Sequence, residues 1–175
     1  MRRANTLAPF LIALFLTLIA ALFSCTSHAG PFTDYAENKI IDALFRGQAL
    51  GAPATWGVAL YTTCPTDSSA GTEVTNANAY ARQGLTANLT NMKSTSGTTG
   101  SASSGTTGTT TNAVAINFPT ATGSWGTIAC WGLTDSTTYG GGNLWLYQTV
   151  TTPPTITNGS TASFAVDAMS IQVDN

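Results

Sequence analysis

A chain of 175 residues can bury one proper core but is too short for two ordinary domains. Only 8% of its residues are charged, against about a quarter in typical globular proteins, so hydroxyls and amides must hydrate its surface, as suits a secreted protein or an assembly. Of its six basic residues Arg2 and Arg3 lie in the N-terminal segment, leaving four against eight acidic residues in the rest; four scattered cations give no footprint for a phosphate backbone and exclude nucleic acid as a partner.

Residues 1–29 are expected to be a hydrophobic leader. Arg2 and Arg3 precede an uncharged run, Leu7 to Phe23, rich in Leu, Ile, Ala and Phe, which has the form of the first two regions of an export signal. Ser27-His28-Ala29 offers a conventional cleavage site before Gly30. Leu22-Phe23-Ser24-Cys25 offers a lipobox, in which Cys25 would be lipidated, although Phe23 fits that motif poorly. An uncleaved anchor is the third reading, because the run nears the ~20 residues that cross a bilayer. A misplaced start codon is the fourth. Membrane contact is expected only through this leader.

Without Cys25, Cys64 and Cys130 form an even pair that can make one disulfide in an oxidising space. The alternative is two buried thiols acting as small hydrophobes. No C-x-x-C pairing exists, which argues against a cysteine zinc site.

Residues 30–50 form the next unit. Ile40, Ile41, Leu44 and Phe45 recur at the spacing of one helical face, so an amphipathic helix is predicted over Thr33 to Phe45. Thr33 or Asp34 can cap it, with Glu37 completing a box behind Asp34, and Gly47 stands where a left-handed C-terminal residue belongs. Early acids and a late Arg46 match the helix dipole. The helix is expected to pack on one side of the fold or to mediate assembly.

Residues 51–175 are predicted to be β. Seven short runs have alternating or apolar character: Thr55 to Thr62, Ala79 to Thr86, Ala113 to Phe118, Gly126 to Thr134, Asn143 to Val150, Ala162 to Val166 and Met169 to Asp174. Turn chemistry such as Tyr139-Gly140-Gly141-Gly142 and Asn158-Gly159 separates them. The expected class is all-β, an antiparallel sandwich, jelly-roll-like or immunoglobulin-like, with one N-terminal amphipathic helix. Residues 91–112 are almost entirely Ser, Thr and Gly and are expected to be a low-complexity loop with little to bury; the alternative is a Thr-rich strand pairing with another subunit.

Catalysis finds little support. The one histidine, His28, lies beside the cleavage site, which removes Ser-His-Asp, Cys-His and His-metal chemistry from the domain. Asp67, Glu73, Asp135 and Asp167 are available acids for a glycosidase pair, but none has an apolar context, and Asp67 and Asp135 look like turn formers. Calcium at Asp67 and Glu73 lacks EF-hand spacing. No enzyme, metal or cofactor is expected. Trp56, Trp125, Trp131, Trp145 and Tyr147 fall on or beside predicted strands, where they can fill a core or interface, or form a platform for sugar rings. Alternation sets Trp131 with Ala129 and Leu133, facing inward. Leu144 and Leu146 then face inward on their own strand, so Trp145 and Tyr147 are expected to face outward, forming a contact surface to which Trp56 is added.

Several blocks together resemble a family of tailed-phage virion proteins, the tail fibre or fibre-like structural proteins: FTDYAENKIIDALFRGQAL, APATWGVALYTTCPTD, GTEV, AYARQGL, AVAINFPTATGSWGTIACWGL, GGNLWLYQTV and ASFAVDAMSIQVDN. They cover nearly all of Phe32 to Asn175. The leader is foreign to that pattern, and the Ser/Thr/Gly tract exceeds the loop expected there. The resemblance implies a small β-sandwich subunit, fibre-like or decoration-type, located in the virion and forming oligomers, with itself and other virion proteins as partners and a host surface glycan as a further one. The alternative is an exported bacterial surface protein, secreted or membrane-anchored in the envelope, serving as an adhesin or carbohydrate-binding module.

Overall fold

The computed structural model describes residues 32–173; the leader, with Cys25 and its cleavage sites, lies outside them. The described residues begin with a helix, α1 (Asp34–Phe45), followed by β1 (Thr55–Thr63), β2 (Thr72–Glu73), β3 (Gln83–Thr86), β4 (Thr109–Thr111), β5 (Ile116–Thr120), β6 (Gly126–Thr127), β7 (Cys130–Thr134), β8 (Leu144–Thr149), β9 (Thr155–Ile156), β10 (Thr161–Phe164) and β11 (Ser170–Gln172). The fold is all-β and sandwich-like with one short helix, as the residue pattern predicts.

A five-stranded antiparallel sheet is the main layer. β1 pairs with β7 and β7 with β8, while β2 and β3 share the other edge of β1. Three two-stranded sheets, β10–β5, β11–β4 and β6–β9, complete the structure. Alternation along β1 and β7 sends Val58, Leu60, Trp131 and Leu133 into one core with Phe118, Trp125, Ile156, Met169 and Ile171. Trp131 is core, as expected. The other face of the main sheet carries a smaller cluster, Ala59, Tyr61 and Cys130, with Cys64 and Leu144 against it. There Cys64 and Cys130 are joined in a disulfide with Cα atoms 5.2 Å apart. Gly132 lets this face close: a Cβ on it would lie 2.7 Å from Leu144 Cδ1 and 3.1 Å from the Tyr61 ring.

Three predicted elements differ, each for a local reason. The run Ala79 to Thr86 becomes a strand only from Gln83, because Asn78 and Ala79 take left-handed φ values of 54° and 65°; this turn presents the Asn78 carbonyl to the Trp125 indole N–H at 2.8 Å. Gly126 to Thr134 splits in two. Gly126 pairs with Ile156 and Cys130 with Tyr61, so the chain changes sheets at Ile128 and Ala129. In the Ser/Thr/Gly tract, Thr109–Thr111 is not loop but strand β4, paired with β11 of the same chain. Behind it Asn112 is fully buried, its Nδ2 donating to Val114 and Ala165 carbonyls and its Oδ1 accepting from Met169 N–H. Single-sequence composition hides such a strand because its partner is some sixty residues away.

Candidate functional site

The helix and its seat on β8 form the most distinctive surface. Thr33 is the N-cap, its hydroxyl oxygen accepting from Ala36 N–H at 3.4 Å, so Asp34 and Glu37 occupy the first turn, where the dipole favours acids. Gly47, at φ 69°, ends the helix, and Arg46 reaches back to Asp42 at 3.3 Å. Phe32 bridges Leu146 in antiparallel register. Thr33 then donates its N–H to the Trp145 carbonyl at 3.0 Å and its hydroxyl to the Leu144 carbonyl at 2.6 Å. The helix start is thereby tied to the edge strand of the main sheet.

Its packing differs from the simple amphipathic expectation. Ala36 is the buried residue of the helix, with Ile40 and Ala43 half-covered one and two turns on. Ile41, Leu44 and Phe45 point away, 50%, 70% and 81% exposed. A stripe of small and medium side chains seats the helix closely, and the large apolar residues at i, i+3 and i+4 face solvent.

The expected aromatic platform is redistributed. Trp145 is 4% exposed, edge-on to Trp56 at 5.3 Å and to Tyr35 of the helix at 5.6 Å, with its indole N–H donating to Asp135 Oδ2 at 3.2 Å. It is therefore a buried seat for the helix and not an outward partner of Tyr147. The reason is a register shift in the β7–β8 ladder: Leu133 pairs with Leu146, but Thr134 pairs with Leu144. That irregularity puts Leu146 in the main core and Leu144 with Tyr61 and Cys130 on the opposite face, breaking the alternation that assigns both leucines to one side. Tyr147 is half-buried opposite Gly132 on the disulfide face, and Trp56 is half-buried at the core edge.

The acids are engaged elsewhere. Glu73 holds Arg82 through two bonds of 2.8 Å and accepts the Tyr80 hydroxyl at 2.9 Å. Burial, then the nearby Glu73 charge, pushes the Tyr61 hydroxyl up to about 12. Tyr80 is raised as well, mainly by burial. Burial opposes the charge on Arg82, yet its hydrogen bond and attraction to Glu73 leave it firmly protonated. Asp135 accepts from Asn143 N–H and Nδ2 at 2.6 and 3.1 Å. Asp167 is held below the usual carboxylate range by hydrogen bonds from Lys93 and Thr111, each 2.6 Å. Carboxylate oxygens of Asp34, Glu37 and Asp67 lie within 4.8 Å of one another at the helix start; none of the three is buried. Residue types alone do not reveal the Glu73–Arg82 pair. One signal was available, since a central Arg in a chain so poor in charge needs an acid nearby.

No curated protein matches the chain. A family model described as podophage GP4 fiber I protein gp80 matches residues 31–172, beginning one residue before the Phe32 bridge and ending with β11. The stretch it covers is the folded unit described above, with the helix, the main sheet and all eleven strands inside it, and so the chain belongs to the podophage GP4 fiber I protein gp80 family of phage fibre proteins.

Proposed function

We propose that this protein is a non-enzymatic building block of the phage fibre, assembled through the outer stripe of α1 against the same helix of a second copy. The observation that carries this reading is the helix's orientation: it is seated by Ala36, Ile40 and Ala43 while Ile41, Leu44 and Phe45 stand in solvent. Exposed apolar side chains aligned on one helix face mark an association surface. The same stripe on a second copy offers apolar residues at matching spacing, the arrangement that pairs helices. Family membership supports a virion location and association with other virion proteins. The commitment of Glu73, Asp135 and Asp167 to structural partners, with no histidine among the described residues, supports a role without catalysis.

Sedimentation of the full chain tests this. The wild type is expected to sediment as an oligomer, and L44S/F45S as a monomer with an unchanged β-type circular dichroism spectrum, because neither side chain is part of the core. A monomeric wild type, or a double variant that still assembles, overturns the reading. Mass spectrometry of purified particles, reading the N-terminal residue, checks the virion location and shows whether residues 1–29 and Cys25 are retained, cleaved or lipidated.

A further inference from the structure

The disulfide and the helix seat are joined by the loop between β1 and β2, residues 64–71. Cys64 opens this loop and is tied to the fully buried Cys130 at the start of β7. Past the buried Pro65 the loop has little cover, since residues 66–70 are all exposed. It turns on itself through bonds between the backbones of Thr66 and Ser69, and the Asp67 carbonyl then accepts the Asp34 N–H of α1 at 3.2 Å. That N–H is one of the donors that a helix start leaves unsatisfied. A cleft of about 410 Å³ opens between the loop and Thr33, Asp34 and Tyr35, so little side-chain packing backs the contact.

Charge works against this contact. The Asp67 carboxylate meets those of Asp34 and Glu37 within 4.8 Å, and among the described residues none of the three is in an ion pair. The helix start attracts Asp67 with roughly half a positive charge, which two full like charges outweigh. We propose that the Cys64–Cys130 disulfide is a redox latch on the helix seat. Formed, it holds the loop against the helix start and fixes the face from which Ile41, Leu44 and Phe45 are presented. Reduced, it yields the loop to the repulsion among the three acids, and the start of α1 loosens. Closing the latch takes one proton and one electron from each thiol, and a small disulfide such as oxidised glutathione accepts them and leaves as two thiols. The half-buried Cys64 attacks it first, and Cys130 then displaces glutathione from the mixed disulfide. Oxidants of this class dominate outside the cytosol, so the latch delays assembly until the chain meets an oxidising medium. The consequence for assembly rests on the helix pairing proposed above; the control of the helix seat does not.

Amide exchange by NMR and sedimentation test this, both on the full chain in oxidised or reduced glutathione. Reduction should speed exchange of the Asp34 amide roughly five- to tenfold, the size expected for one lost backbone hydrogen bond. C64S/C130S, which retains Cys25 as a control, should exchange at the reduced rate in either medium. Adding Asp67→Asn to C64S/C130S removes one of the three charges and keeps the carbonyl, so Asp34 exchange should fall back toward the oxidised rate while the urea midpoint stays low. This separates local release from the general loss of stability that a missing disulfide brings. The latch is overturned if Asp34 exchanges alike in the two media, or if Asp67→Asn leaves its exchange in C64S/C130S unchanged. Reduction is also expected to turn the oligomer into monomer. A wild type monomeric in both media, with Asp34 responding, overturns pairing through the helix stripe and supports the latch. An oligomer indifferent to reductant, with Asp34 responding, overturns the latch's control of assembly.

Discussion

Arg82 and Glu73 form a paired bidentate contact inside the sheet edge, Nε to Oε1 and Nη2 to Oε2, each at 2.8 Å, with side chains only 5% and 11% exposed. The remaining guanidinium nitrogen donates to Thr134 Oγ1 and to the carbonyls of Ser136 and Gly141. One arginine thus fastens β2 to the β7–β8 connection. Removing either partner leaves the other charge buried and alone, so Arg82→Ala and Glu73→Ala should each destabilise by about 3–5 kcal/mol. Arg82→Lys should recover little, because an ammonium cannot reproduce the planar fork. Urea unfolding checks this, and a loss below about 1 kcal/mol for Glu73→Ala would contradict it.

The disulfide closes a loop of 66 residues between adjacent strands. Chain-entropy reasoning puts the effect of a loop this long at about 4 kcal/mol, with measured values often nearer 2. The C64S/C130S variant is expected to fold to the same spectrum but to unfold at lower urea. Reductant should shift the wild type toward it and leave the variant unmoved. Equal midpoints with and without reductant would refute the prediction.

Two deletions in the Ser/Thr/Gly tract should behave differently. Removing 99–106 shortens an exposed loop and should change stability by less than about 1 kcal/mol, since closure entropy varies only with the logarithm of length. Removing 94–110 also takes the buried Ser94 and two of the three β4 residues that pair with β11, and should cost several times more. Asn112→Ala should cost about 2 kcal/mol, because it leaves the buried Met169 N–H without its acceptor and removes the donor to the part-buried carbonyls of Val114 and Ala165. Thermal unfolding of the three variants side by side gives the ordering.

Asp135 links acidity to the helix seat. Partial burial pushes its carboxyl upward, but hydrogen bonds from Asn143 and from the Trp145 indole outweigh this and hold it below its ordinary value. A carboxylate with a lowered folded-state pKa stabilises the protein fully above the unfolded value of about 4 and loses that contribution as pH falls through the folded one. Wild type should therefore exceed Asp135→Asn in stability by a constant amount above pH ~4, and the gap should close below it. Urea midpoints across that window test the sign; a gap that widens in acid would reverse it.

Residue patterns alone determined the β class, the position of the helix, the inward Trp131 and the resemblance to phage fibre proteins, because each depends on local spacing or on blocks contiguous in sequence; the choice of Thr33 over Asp34 as N-cap came from the structure. The even cysteine pair was legible as an opportunity, but only the facing of Tyr61 and Cys130 across β1 and β7 brings the sulfurs together. What alternation could not supply was the register shift between Leu133 and Thr134, and that one irregularity moves Leu144 to the opposite face from Leu146 and makes Trp145 the covered seat of the helix. Helical periodicity likewise located an apolar stripe without saying which side the protein would cover. The tertiary structure seats the helix by Ala36, with Tyr35 edge-on to Trp145 of β8, and leaves Ile41, Leu44 and Phe45 outside. Strand β4 was equally hidden, for it pairs with β11 some sixty residues further along the chain, and the Glu73–Arg82 pair, only nine residues apart, forms because the chain folds back between β2 and β3.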